Sequence, residues 1–337
     1  MIQKGGGYYR ILSDAYSFHP ENTSLKFNPR LTFSEWLNNG SGFYTVKEAS
    51  KKGFVISTSP SEISSALLTE AYFFLNHCYE HLIEISNYKK DDGLRSDSWA
   101  TVTVYYFGFF AAQSFLRLVG RPTFHLTKNV VNDLITLSPS IDCNLGAGPY
   151  LLSQKASGGG AIEDYHLEKQ KWKIHDLTWI KVFDYLRDAL NSVDKVNEQN
   201  EKNLYSLVLD KRLGSLLKSS AWPPTVRAAT NYRPGYTYRL LEKVDAVKFK
   251  KFLRRNDFTQ YDSFLSAFES ALSASDDITK INYHVQSMYL LSLAIFGICE
   301  TLFLEIKRTY RLDKSFDHKR VEVLKKEPHL SELYKFF

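Results

Sequence analysis

His77, Glu80 and His81 form an H-x-x-E-H pattern within His77-Cys78-Tyr79-Glu80-His81. On a helix this spacing puts both imidazoles on one face with the carboxylate alongside. Such a face can ligate zinc, with the glutamate as general base. A catalytic zinc also needs a third ligand and an open position. Glu163 lies downstream, but nothing in the sequence sets it apart from the other acids. An amphipathic helix edge carrying two histidines accounts for the pattern without a metal, and no metal is assigned.

A second candidate is Arg227-Ala228-Ala229-Thr230-Asn231-Tyr232-Arg233-Pro234-Gly235-Tyr236. A guanidinium suits bidentate contact with phosphate, and Asn231, Tyr232 and Arg233 could complete a site for a phosphate or base edge. The architectural alternative packs the Tyr232 ring into a core, pairs Arg227 with a buried acid and turns the chain at Pro234-Gly235. A third candidate is a basic cluster, Lys248, Lys250, Lys251, Arg254 and Arg255, interleaved with Phe249, Phe252 and Phe258. Converging cations with aromatics suit a nucleic-acid strand, although a solvated helix face reads the same way. Gly158-Gly159-Gly160 lacks the following helix and the Lys-Ser/Thr pair of a phosphate loop. No nucleophile elbow, P-loop or dinucleotide fingerprint is present, so no cofactor is implied.

These residues must be positioned mainly by helices. Ser59-Pro60-Ser61-Glu62 is a helix start, and Ile63, Leu67, Ala71, Phe74, Cys78, Leu82 and Ile85 recur at three or four residues. A second helix runs from Trp99 to Val119, apolar nearly all round and stopped by Gly120-Arg121-Pro122, so it is expected at the centre of a bundle. Further helices are expected over 127–137, 176–193, 202–218, 246–254, 260–272 and 281–310. Residues 149–155 and 161–168 flank the glycine cluster as a β-hairpin inserted between helices. Residues 1–59 are rich in Gly, Pro, Asn and Ser, with a helical turn at 32–37 and a strand at 54–58 as their only expected order.

The 337 residues carry a net charge of +6, enough to permit a polyanion partner but not to require one. Cys78, Cys143 and Cys299 fit neither a disulfide framework nor a zinc spacing, and they suit a reducing compartment. The first residues lack the apolar run of a secretory signal. Met288–Cys299 is the most apolar stretch, but it falls short of the roughly 20 residues a bilayer span needs and is read as a core helix.

One family resemblance emerges. Tyr105-Tyr106, Ala111-Ala112, Gly120 and His125, followed later by Arg227 and Tyr232, match in order a pattern of small prokaryotic HEPN families: an aromatic-rich helix, a Gly/Pro turn leading to a histidine, then R-x-x-A-D-Y. In this respect the chain resembles the HEPN superfamily and, more loosely, YaaC-like proteins. The resemblance implies an all-α bundle, self-association and RNA-directed chemistry in which an arginine steadies phosphate and a histidine moves protons. Here Tyr232 stands where that histidine would be, Phe110 replaces the helix histidine, and Thr230-Asn231 replaces Ala-Asp. A tyrosine of ordinary pKa, near 10, is a poor base at pH 7.

The expectation is an all-α, HEPN-like bundle over residues 60–311 with a hairpin at 148–170, an irregular segment 1–59 and a basic tail helix 312–337. Its expected role is that of a cytoplasmic prokaryotic defence or toxin–antitoxin protein, a homodimer or partner-bound, that binds RNA or another nucleic acid and is a degenerate ribonuclease. Arg227, Asn231 and Tyr232 are the candidate catalytic residues, with Arg233, His125, Lys250, Lys251, Arg254 and Arg255 contacting nucleic acid. The rival is a non-catalytic helical scaffold that binds a partner protein. Neither reading involves a membrane.

Overall fold

The computed structural model describes residues 32–38, 42–90, 97–139, 144–154, 161–192, 206, 208–210, 221–232, 246–256, 258, 261–273 and 281–309. The glycine cluster, Arg233, most of the expected 202–218 helix and the basic tail lie outside this set, as do Cys143 and the Tyr232 side chain.

In chain order the elements are α1 (Phe33–Asn38), β1 (Tyr44–Ser50), β2 (Gly53–Thr58), α2 (Pro60–Lys90), α3 (Asp97–Leu118), β3 (Thr123–Leu126) and α4 (Lys128–Leu137). Then follow β4 (Gly148–Gln154), β5 (Glu163–Lys169), α5 (Ile174–Ser192), α6 (Trp222–Tyr232), α7 (Ala246–Arg255), α8 (Tyr261–Ser273) and α9 (Ile281–Thr309). The long helices begin and end within a few residues of where periodicity and capping put them. Thr127 caps α4, its side chain accepting from the Val130 amide. Trp222-Pro223-Pro224 opens α6, because a proline in the first turn gives up no helical hydrogen bond.

The fold class differs from the all-α expectation. The expected hairpin exists as β4 and β5, but it sits inside a five-stranded antiparallel sheet of order β1-β2-β5-β4-β3, and the fold is mixed α/β. The physical reason lies at the hairpin edges. Two strands alone leave backbone donors and acceptors open on both sides and bury too little to be stable. Here β2 covers one edge and β3 the other. Residues 1–59 supply the expected helical turn as α1 and the strand expected at 54–58 as β2, and beside them an unexpected strand, β1. β1 escaped detection because a bulge between Val46 and Glu48 breaks its alternation and brings Lys47 and Glu48 outward together. β3 is only four residues long. Gly53, at φ 150°, begins β2 where a side chain would overlap the Leu167 carbonyl of β5.

The buried face of the sheet carries Tyr44, Val46, Phe54, Ile56, Phe124, Leu126, Tyr150, Leu152, Tyr165 and Leu167. It packs against α1, α4 and the first turns of α2 through Ile63, Ala66 and Leu67. From Leu68 onward α2 belongs to a second, helical core. There α3 lies between α2 and α9, brought close by small residues: Cys78 Sγ lies 3.6 Å from the Phe107 carbonyl and Cys299 Sγ 3.3 Å from that of Ala111. Where the cores meet, the Arg117 guanidinium is buried against Glu70 and donates to the Gln113 carbonyl at 3.1 Å. The Gln113 amide in turn donates to Thr178 at 2.7 Å, tying α5 to α3.

The apolar part of α9 is longer than the sequence reading allowed. His284–Lys307 spans 24 residues and contains a window of mean hydropathy 1.8, which meets the length and composition of a membrane span. Of its most apolar window, 89% is buried inside the protein, so this surface is covered by neighbouring helices. Burial, not shortness, makes it a core helix.

Candidate functional site

Residues four and then three apart share a helix face. On α2 the series His77, His81, Glu84, Tyr88 follows this spacing, and on α3 so does Trp99, Thr103, Tyr106, Phe110. The two helices pack side by side and interleave the series into one aromatic seam. His77 contacts Phe110 with ring centroids 5.0 Å apart, and His81 stacks on Phe110 at 5.4 Å and on Tyr106 at 6.3 Å. Farther along, Glu84, Tyr88, Trp99 and Thr103 line a cavity of about 190 Å³ with Ile85, Ala100 and Phe249. From Trp99 to Phe110 the seam runs roughly 16 Å at the helical rise of 1.5 Å per residue.

α6 delivers Arg227 to the middle of this seam. Its Nη2 donates to the Tyr106 hydroxyl at 3.0 Å, and its guanidinium carbon lies 5.8 Å from the Tyr105 ring centroid and 5.6 Å from that of Tyr106. Val226 and Thr230 are buried and anchor the helix, which leaves Arg227 half-buried and Ala228 and Asn231 exposed. Among the described residues Arg227 has no carboxylate partner within ion-pair distance, and its Nε has no hydrogen-bond acceptor. The buried acid of the architectural alternative is therefore not found among them.

Beside Arg227 lies a pair that the sequence reading passed over. Tyr105 and His175 join at 2.7 Å between Oη and Nδ1, and His175 packs on Phe109 at 4.3 Å. Burial lowers the His175 pKa below 6.5, and the Arg227 charge lowers it further, against Asp176. Burial likewise raises the Tyr105 hydroxyl well above 10. Both shifts favour the uncharged forms, so a neutral phenol and a neutral imidazole share this hydrogen bond. His81 is also pushed below 6.5, by burial first and then by His77, while Glu80 and Glu84 oppose the shift. The available signal for His175 was its place, with Asp176, in the first turn of α5, but no spacing linked it to Tyr105.

The zinc reading of His77 and His81 finds no support in the geometry. His77 Nδ1 is paired with Glu80 at 2.9 Å, the His81 ring is stacked between aromatics, and Glu163 belongs to β5, where Gln154 donates to it. Among the described residues no three His, Cys, Asp or Glu side chains converge to hold a metal ion.

The basic cluster forms α7, whose apolar side buries Phe249 and Leu253 and whose other side exposes Lys251, Arg254 and Arg255. The Lys250 ammonium stands 5.4 Å over the Tyr88 ring, and Arg254 Nε donates to the Lys89 carbonyl at 3.0 Å. The cations of α7 therefore border the Trp99 end of the seam. Of the sequence candidates, Arg227, Asn231, Lys250, Lys251, Arg254 and Arg255 lie on α6 and α7, which flank the seam. His125 is exposed on β3 opposite Pro149, in the sheet and outside this cluster. Tyr232 ends α6. Comparison with known proteins returned no matching family model, no matching curated protein and no matching solved structure.

Proposed function

We propose that this chain binds single-stranded RNA along the α2/α3 seam, as a cytoplasmic, self-associating, HEPN-like protein of prokaryotic defence or toxin–antitoxin type. The observation that carries the reading is Arg227: a half-buried guanidinium beside an aromatic seam, bonded to Tyr106 and without an acid partner among the described residues. A phosphate fits that vacancy of charge, because a guanidinium offers a planar fork of donors to two oxygens at once. Aromatic faces suit unstacked bases of any sequence, and cations on α7 suit the strand that continues past them. Catalysis of the HEPN kind would ask for an imidazole at the spacing held by Tyr232, so the protein is read as a degenerate relative that binds.

Fluorescence anisotropy with a labelled single-stranded RNA, read alongside thermal melting, tests this. Arg227→Ala is expected to weaken binding about ten-fold or more, as for loss of a charged hydrogen-bonding contact of roughly 1.5–3 kcal/mol, with Tm within a few degrees of wild type. Unchanged affinity would refute the role. A sharp fall in Tm would instead favour the second reading, a scaffold that docks a partner protein. That reading draws on other observations: Ile162 and Trp172 flank β5 with 68% and 57% exposure.

A further inference from the structure

We infer that His175 gives the phosphate site at Arg227 a second positive charge, gained by taking up a proton as RNA binds, an inference that deepens the RNA reading and rests on it for its ligand. Tyr105, whose ring is fully buried, carries both groups. α6 sets the Arg227 guanidinium carbon 5.8 Å from the centroid of this ring. α5 sets the His175 imidazole at the same centroid distance, 5.8 Å, with Nδ1 2.7 Å from the phenol oxygen. Phe109 packs on the imidazole at 4.3 Å and fixes it in place. Arg227 and His175 are both half-buried, and among the described residues neither has a carboxylate within ion-pair distance. Groups that share one ring in this way lie within the range over which charges act on each other, roughly 10 Å at 0.1 M salt, and burial weakens the screening.

The described groups that act on the His175 ring come from three elements: Arg227 from α6, the Tyr105 hydroxyl from α3 and Asp176 from α5 itself. β3 meets α5 farther on, where Thr123 bonds Thr178 at 2.9 Å, and β4 meets it beside Lys181 and Asp184. Burial is the first cause that keeps the imidazole neutral at pH 7, and the Arg227 charge is the second, with Asp176 opposing both. A phosphate on Arg227 removes the second cause, because its negative charge offsets the guanidinium and favours a cation nearby. His175 then holds a proton more tightly in the complex than in the free protein, so binding strengthens as pH falls. The phenol permits either state, since a hydroxyl can donate to a neutral ring or accept from a protonated one. His81, the other lowered imidazole on the seam, does not share this role. Its shift arises from burial, His77, Glu80 and Glu84, and the Arg227 charge is not among the causes.

The test uses the full-length protein and the labelled single-stranded RNA. Affinities are compared at pH 7.5 and 5.5 at constant ionic strength, with melting recorded at each pH. The gain in affinity on acidification should be larger in wild type than in His175→Gln by three-fold or more, and a smaller difference overturns the inference. His81→Gln should keep the wild-type gain to within two-fold; a greater loss there overturns the assignment to His175. A second measurement needs no change at His175. Its ring resonance, identified by the Overhauser contact to Phe109, is titrated in wild type and Arg227→Ala, with and without sodium sulfate, an oxyanion that stays ionised throughout. Without sulfate, the Arg227→Ala midpoint should lie above that of wild type. Sulfate should raise the wild-type midpoint by about half a pH unit or more and leave Arg227→Ala unmoved. One midpoint common to all four samples overturns the coupling. If RNA binding depends on Arg227 while acidification strengthens wild type and His175→Gln equally, the coupling fails and the RNA reading stands. If sulfate acts as described but single strands do not bind, the proton-coupled anion site stands and the RNA reading falls.

Discussion

At the scale of single residues, the molecule separates charges that are matched inside it from charges that are not. Arg117 is enclosed with Glu70 and Gln113 and lies over the Phe74 and Phe124 rings at 4.5 and 5.1 Å, so its role is architectural. Arg227 rests on two tyrosines near the surface with a phenol as its only hydrogen-bond partner among the described residues. Three imidazoles, His81, His175 and His284, have pKa values held below 6.5, with burial the leading cause in each. The sign of the consequence follows from proton linkage. Below pH 6.5 the unfolded chain binds protons on these rings that the folded chain resists, so stability is highest above 6.5 and declines as pH falls. Melting between pH 7.5 and 5 should show Tm falling, with a shallower slope in His284→Gln, whose ring is lowered by burial alone. A flat profile across that range would contradict the burial of these side chains.

At the scale of elements, α3 is the member on which the rest depends. Its aromatic residues fill the spaces between helices, while Gly108, Ala111 and Ala112 let α9 approach closely. A β-carbon on Gly108 would overlap the Ser292 hydroxyl and come within 3.1 Å of the Ser292 β-carbon and 3.3 Å of the Trp179 ring. Ser292 cannot easily yield, because it donates to the Met288 carbonyl at 2.6 Å. Gly108→Ala should therefore destabilise by about 1–3 kcal/mol, the usual range for overpacking, despite alanine's better helix propensity. Combining it with Ser292→Ala should recover part of that loss in urea denaturation. A neutral or stabilising Gly108→Ala would show that α3 and α9 lie farther apart. The strands teach a different lesson. β4 and β5 were legible because Tyr150 and Leu152 alternate with outward residues, as do Tyr165 and Leu167. β1 and β3 were not, since a bulge interrupts the one and the other has too few residues for a period to show.

At the scale of the whole molecule, two cores share α2, one beneath the sheet and one within the helices, and the seam lies on the helical side. The modest net charge of +6 means that any attraction for a polyanion must come from where cations gather, and α7 gathers them beside the seam. Salt dependence is the measure of that arrangement. For single strands each phosphate contact contributes about −0.7 to the slope of log K against log salt. Lys251→Ala with Arg255→Ala should therefore make the slope shallower by about 1.4 if both side chains meet phosphate. An unchanged slope would place the strand elsewhere.

Local order was determined by the sequence alone: where the long helices start and stop, that α3 is apolar all round, that 148–170 forms paired strands, and that Arg227 and the α7 cations are candidates for phosphate. These are effects of neighbours within a turn or two of helix, where periodicity and capping act. Only the tertiary structure decided that the hairpin belongs to a five-stranded sheet rather than an all-α bundle. It alone also set His175 on Tyr105, Arg227 on Tyr106 and the neighbouring rings of α2 and α3 in one seam. Strand edges find partners, and side chains find contacts, from more than a hundred residues away, as Arg227 does with Tyr106. Pairing of that kind depends on how apolar faces are buried together, which no window along the chain contains.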